Sequence, residues 1–403
     1  MCIRDSRYIS TLSTSVDSWI IDGKKVQSTQ KPTIVSSTLT WEKVTTLDLG
    51  LDARFFNDAL GVTFDWYNRT TSDILTTANL PATLGADAPY ENMGTIQTKG
   101  WELAIDYRHT FKNGLHFGVT ASVADDKTEV TKWTYNTKIP SYGATGWWDK
   151  SAYKEGMVLG DIWGLQFDRF LTEDDFNADG SLKAGLPDQT KVVPAGYQFA
   201  PGDVLYKDLD NNGEIVKQTN TNDKGDLSVI GNALPRLQFG LNLDAAWKGF
   251  DISMFFQGVA KRKLWAAGNQ VLPGFTTGEP FYKGAEDYWT PENTDAFYPR
   301  PMDYKQSASG NYSVNDRYLL NMAYLRLKTF TVGYSLPKVW LSKFKVQGLR
   351  VYFTGENLFT IDGVKPAIDP EIGIRTASGK SDQRNFGRSY PYPVSYTHLT
   401  LPT

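Results

Sequence analysis

The feature that most constrains this chain is an alternation of apolar and polar residues, held over runs longer than ordinary strands. From Thr45 to Phe55 the odd positions read Thr, Leu, Leu, Leu, Ala, Phe, and the even positions between them read Thr, Asp, Gly, Asp, Arg. Trp101, Leu103, Ile105 and Tyr107 alternate with Glu102, Ala104, Asp106 and Arg108. Leu115 to Val123 and Leu237 to Trp247 repeat the pattern. Successive side chains of a strand point to opposite faces, so each run has one apolar and one polar face. A helix would place apolar residues at spacings of three and four, which these segments do not.

The links between the runs sharpen this. Asn57 to Gly61, Lys112-Asn113-Gly114 and Lys248-Gly249 are tight joints whose glycines accept the positive φ that hairpin turns require. The opposite ends are joined by long stretches, roughly 75–93, 131–231, 265–318 and 362–388. Runs of about 14–17 residues compare with a usual strand of five or six. Long strands, short turns at one end and long loops at the other form the plan of a bacterial outer-membrane barrel. The expected strands are 42–56, 59–74, 94–111, 115–130, 232–247, 250–264, 319–335 and 348–361. Residues 7–20 and 389–396 are candidates for one more strand each. The alternating piece 157–170 is assigned to the long extracellular loop region 131–231, and Leu336–Leu349 is expected to hold a helical turn. A soluble β-sandwich also alternates, but strand length and lopsided loops favour the barrel.

Composition narrows the function. Lys and Arg total 42 against 45 Asp and Glu, a net charge of −3, which excludes the basic surplus of a nucleic-acid binder. With 12 Trp, 21 Tyr and 21 Phe the chain is rich in residues that suit strands and interfaces. Three His and one Cys preclude a disulfide framework or a Cys/His zinc centre within the chain. No nucleophile motif, metalloprotease motif or phosphate loop is present, and Asp125-Asp126 and Asp174-Asp175 read as solvated loop charges, so no enzymatic activity is expected.

The termini break the pattern. Residues 1–6 and 394–403 continue nothing in their neighbours and resemble translated adapter tags, so they are set aside and the chain is read as a fragment cut at both ends. Residues 7–393 are then part of a barrel, with 131–231 as its long extracellular loop region. The expected fold is all-β: an antiparallel transmembrane β-barrel fragment, an open curved sheet of about eight to ten strands from a larger barrel.

Two groups of candidate site residues stand out. Asp208-Leu209-Asp210-Asn211-Asn212-Gly213-Glu214-Ile215 follows the first half of a calcium loop. Asp208, Asp210, Asn212 and the Glu214 carbonyl would be oxygen ligands, with Gly213 at the sharp turn. Thr219 occupies the place of the closing Glu, and Asp226 (or Asp223) would replace it. Without an ion the same residues make an Asx-rich turn. Trp147, Trp148, Trp163, Trp265 and Trp289 lie in the long loops, where rings either meet a sugar or a partner or pack the loops together. Trp41, Trp101 and Trp247 are expected near strand ends as an interfacial girdle.

An ordered set of short pieces spread over about residues 39–393 resembles the C-terminal barrel of SusC/RagA-type TonB-linked outer-membrane proteins of Bacteroidetes. They include Leu39-Thr40-Trp41-Glu42-Lys43, Asn92-Met93-Gly94, Lys99-Gly100-Trp101-Glu102, Gly202-Asp203-Val204, Ile230-Gly231-Asn232, Tyr324-Leu325-Arg326-Leu327-Lys328, Gly355-Glu356-Asn357-Leu358-Phe359 and Tyr390-Pro391-Tyr392-Pro393. The resemblance implies a plugged, 22-stranded-type TonB-dependent importer of glycans or peptides in the outer-membrane lipid, with residues 7–393 as the C-terminal part of its barrel, capped by a SusD-like surface lipoprotein and reached by the TonB complex through a region absent here. The alternatives are a secreted soluble carbohydrate-binding β-protein and a passive porin.

Overall fold

The computed structural model describes residues 14–29, 34–77, 89–134, 153–217, 225–266, 271–274, 284–302, 310–342, 346–365, 368–371 and 394–400. β1 (Thr14–Ile21) and β2 (Lys24–Thr29) form a separate hairpin. β3 (Lys43–Phe55), β4 (Leu60–Thr77), β5 (Tyr90–Thr110) and β6 (His116–Trp133) follow as long strands. The loop region then contributes β7 (Asp161–Gly164), β8 (Phe167–Phe170), β9 (Val204–Tyr206) and β10 (Ser228–Asn232). β11 (Arg236–Trp247) and β12 (Phe250–Lys261) make the next hairpin, and β13 (Lys263–Leu264) pairs with β14 (Leu320–Asn321). β15 (Tyr324–Ser335), a single helical turn α1 (Lys338–Leu341), β16 (Arg350–Asp362) and β17 (Val394–Thr400) complete the chain.

One antiparallel sheet of nine strands dominates, in the order β17-β16-β15-β12-β11-β6-β5-β4-β3. All eight long strands expected from the alternation are present, and neighbours along the chain are neighbours in the sheet. Among the described residues β3 pairs only with β4 and β17 only with β16, so the sheet is open, as expected of part of a larger barrel. Among the described residues no helix is long and apolar enough to cross a membrane.

Two expectations change at the ends. The strand expected over 7–20 is β1 within the detached β1–β2 hairpin, outside the main sheet. The last strand, expected over 389–396, lies at Val394–Thr400, within the segment set aside as a tag, and pairs with β16 from Arg350↔Thr400 to Glu356↔Val394. A free sheet edge offers backbone N–H and C=O groups to any extended segment, so such a ladder needs no side-chain pattern.

Turn chemistry explains the tight ends. Lys248 and Gly249 have φ of 48° and 90° between the paired Trp247 and Phe250, the two positive values of a type I′ turn. A Cβ on Gly249 would lie 2.8 Å from the Ser335 carbonyl, so glycine also permits the close approach of β15.

The long loops fold upon themselves. Ile162, Leu264, Trp265, Leu272, Tyr298, Tyr318 and Met322 belong to one buried cluster, and Leu165, Val204, Tyr206, Ile215, Leu227 and Trp289 to a second. The region 131–231 therefore has a hydrophobic core of its own, continuous with residues after β12.

Candidate functional site: the polar wall and its loop clasp

Register across the sheet separates two chemistries. One row runs Leu51, Phe64, Leu103, Val123, Phe239, Gly258, Leu325, Ile361 through eight strands. Its neighbour on the opposite face runs Asp52, Thr63, Ala104, Ser122, Gly240, Gln257, Arg326, Thr360. The apolar face is laid bare: Leu49 is 59% exposed, Leu51 61% and Ile361 62%. Such a broad exposed apolar face belongs against lipid, and the polar face against the lumen. In the polar face the small side chains of Ala104, Ser122, Ala124 and Gly240 leave a recess of about 440 Å³, bordered by Thr63, Asp65, Glu102, Gln238 and Gln257.

Several charges on this wall are paired. Arg54 Nη1 donates to Asp106 at 2.8 Å, and Arg350 Nε to Asp251 at 3.0 Å. Arg326 Nε donates to Thr360 on the wall at 2.7 Å, while the acidic partners of Arg326 and Lys328 lie in the segment after β16. Arg326 contacts Asp369 at 2.7 Å and Glu371 at 2.8 Å, and Lys328 reaches Glu371 at 2.7 Å. Arg262 Nη1 donates to the Pro370 carbonyl at 3.2 Å. Val364 and Ile368 anchor the same segment in the first loop cluster. Three cations and two apolar side chains thus hold residues 364–365 and 368–371 against the wall and the loop core.

The acidic turn forms much as its spacing suggested. Asp208 accepts N–H bonds from Asn211 (2.7 Å) and Gly213 (2.8 Å), and Asn212 accepts one from Glu214 (2.8 Å). Asp226, fully buried, accepts from Leu209 at 2.8 Å and Val216 at 2.7 Å, fastening both ends of the turn. One carboxylate oxygen from each of Asp208, Asp210 and Asp226 lies within 4.8 Å of the others, an all-oxygen set that suits a hard cation. The Glu214 carboxylate pairs with Lys191, which leaves its carbonyl as the only ligand expected of it.

The tryptophans fare differently. Trp265 and Trp289 are 4% and 7% exposed and sit in the two loop cores, so neither has a face for a sugar or a partner; the packing alternative holds for both. Trp163 is half-buried against the second core. Trp147 and Trp148 lie outside the described residues. In the girdle, Trp41 (60% exposed) and Trp247 (43%) lie at or beside strand ends, but Trp101 lies within β5, opposite Trp66.

Sequence reasoning missed the polar keystones of the loops. Asp203 is completely buried and accepts from Arg300 Nε at 2.7 Å, Asn311 Nδ2 at 3.0 Å and the Ala200 N–H at 2.9 Å. Its signal was an Asp wedged between Gly202 and the apolar run Val204-Leu205-Tyr206. Asp175 receives both guanidinium nitrogens of Arg169 at 2.6 and 2.7 Å, and the Arg169 bonds hold its carboxyl down to about 2. Burial, opposed by bonds from Asn232 and Val158, raises the Asp161 carboxyl above the usual range.

This combination, an open antiparallel sheet with a lipid face, a polar wall and self-cored loops at one end, defines a segment of a large outer-membrane barrel. Residues 8–358 match the family described as TonB dependent receptor-like, beta-barrel, and the chain belongs to that family. It is therefore an outer-membrane protein. It is 27% identical to TonB-dependent receptor P3 of Formosa agariphila over 384 residues, covering 93% of this chain and 35% of that relative. It is 24% identical to TonB-dependent receptor SusC of Bacteroides thetaiotaomicron over 359 residues, covering 87% and 32%. The chain thus spans about a third of the length of these relatives. The solved RagAB peptide transporter shares its fold, with a TM-score of 0.67 at 19% identity over 98% of this chain and 38% of that one.

Proposed function

We propose that this chain is part of the barrel wall of an importer that moves an oligosaccharide or peptide across the outer membrane, driven by TonB and capped by a SusD-like surface lipoprotein. The observation that carries the reading is the segregated sheet: one face apolar and exposed, the other polar and recessed, with folded loops above it. The work of the wall is to line a passage and to hold loops at the mouth. The similarity to TonB-dependent receptor SusC and to the RagAB peptide transporter supports an importing role. We also read the Asp208–Asp226 turn as a calcium site, because its donors are all oxygen and are gathered from both ends of the turn.

The test is uptake. Deleting the full-length gene in its host, or inactivating TonB, abolishes uptake of the labelled oligosaccharides or peptides on which the host depends. Uptake that persists without TonB would mark a passive pore instead.

A further inference from the structure

The short-turn end of the sheet carries a pattern that transport does not use. Three successive hairpin links carry an exposed ring and an exposed lysine within two residues of each other: Phe111 and Lys112, Trp247 and Lys248, and Trp340 and Lys338. The rings are 46%, 43% and 59% exposed. The links are bound to one another. Trp247 Nε1 donates to the Asn113 carbonyl at 3.3 Å, joining the first two. The Ser335 N–H donates to the Gly249 carbonyl at 2.8 Å, and the Phe250 and Tyr334 rings lie 4.4 Å apart, joining the second to the third. In α1 Leu341 turns inward while Trp340 stays outside.

The three ring–lysine pairs therefore form one continuous rim. Two carboxylates at this end of the sheet face other cations: Asp58 lies 3.6 Å from Arg54, and Asp251 accepts from Arg350 at 3.0 Å. Among the described residues no carboxylate pairs with Lys112, Lys248 or Lys338. Lys248 Nζ rests 4.5 Å over the Trp247 ring, so its charge stays level with the aromatic band. Amphipathic rings favour the depth where hydrocarbon meets headgroup, and lysines just beyond that depth reach outward to anionic phosphates.

We propose that this rim binds anionic phospholipid headgroups of the periplasmic leaflet, with Lys112, Lys248 and Lys338 meeting phosphates and Phe111, Trp247 and Trp340 seated at the headgroup boundary. Charge complementarity selects the occupant: the rim presents cations without carboxylate partners in a band where the membrane presents phosphates.

The full-length receptor is reconstituted in nanodiscs of mixed phosphatidylglycerol and phosphatidylcholine, and retained lipid is read by native mass spectrometry. The wild type keeps phosphatidylglycerol in preference. K112Q/K248Q/K338Q loses that preference by roughly fivefold for each lysine, and K112R/K248R/K338R restores it, with heat-modifiable migration showing that all three proteins are folded barrels. Excess inorganic phosphate leaves the retention unchanged. A preference that survives in the glutamine variant, fails to return in the arginine variant, or is displaced by free phosphate overturns the assignment.

Discussion

Arg326 Nη2 lies 2.7 Å from Asp369 Oδ1, and the arginine side chain is completely shielded from solvent. The two residues join a wall strand to the segment that follows the next strand, so their pairing sets where that segment rests. A buried charge that loses its partner costs far more than the pair contributes. Arg326→Met in the full-length receptor leaves Asp369 and part of Glu371 uncompensated and is expected to destabilise by about 3–5 kcal/mol. Adding Asp369→Asn and Glu371→Gln recovers part of the loss. Reversible urea unfolding in lipid vesicles measures both; a single variant within about 1 kcal/mol of the wild type would mean the clasp carries no weight.

The Asp175 carboxyl titrates at about 2, below its ordinary 3.8, because Arg169 donates to it and Thr172 adds a backbone bond. A depressed carboxyl stabilises fully above the unfolded value, and that stability is lost as pH falls from 3.8 through 2. The shift corresponds to about 2 kcal/mol. Hydrogen exchange over residues 169–183 should show Asp175→Asn opening more readily than the wild type at neutral pH. The two should converge near pH 2. A gap that does not depend on pH would remove the ion pair as its cause.

Calcium at the acidic turn has a direct readout. Titrating the full-length receptor with calcium should release or absorb heat, and Asp208→Ala with Asp210→Ala should abolish the signal. Heats unchanged by the double substitution would leave the turn as a hydrogen-bonded Asx structure without an ion.

The two faces of β3 should answer differently to charge. Lysine at Leu49 enters the apolar face and is expected to cost about 2–4 kcal/mol near the membrane midplane. Lysine at Gly50 points to the polar face, where a Cβ would lie 2.6 Å from the Asp65 side-chain carboxylate, and a small shift of that group converts crowding into an ion pair. Unfolding midpoints that fall equally for both would contradict the assignment of faces.

What was legible in the sequence follows from the range of the interactions. Strand existence and facing are written every second residue, and the tight turns carry their glycines with them, so β3 to β6, β11, β12, β15 and β16 could be read locally. The loop cores could not. The Asp203–Arg300 contact spans 97 residues and that between the Phe167 N–H and Asp316 spans 149, and no local pattern announces such partners. The same limit explains Trp265 and Trp289: in a polar loop an aromatic looks alike whether the loop is solvated or wraps a core. The acidic turn was legible because most of its ligand candidates lie within seven residues of one another, and Asp226 could only be named as a candidate, since folding brings it in from the far side.

The account stands on one face of this sheet meeting lipid and the other the lumen. Nitroxide labels placed singly along Thr45–Phe55 of the receptor in outer-membrane vesicles test that most directly, by collision with oxygen, which concentrates in lipid, and with a water-soluble nickel chelate. The account predicts a period of two, with oxygen contact highest at positions 47, 49 and 51 and low at 48, 50 and 52. Uniform exposure to nickel along both faces would contradict it and return the chain to the soluble β-proteins.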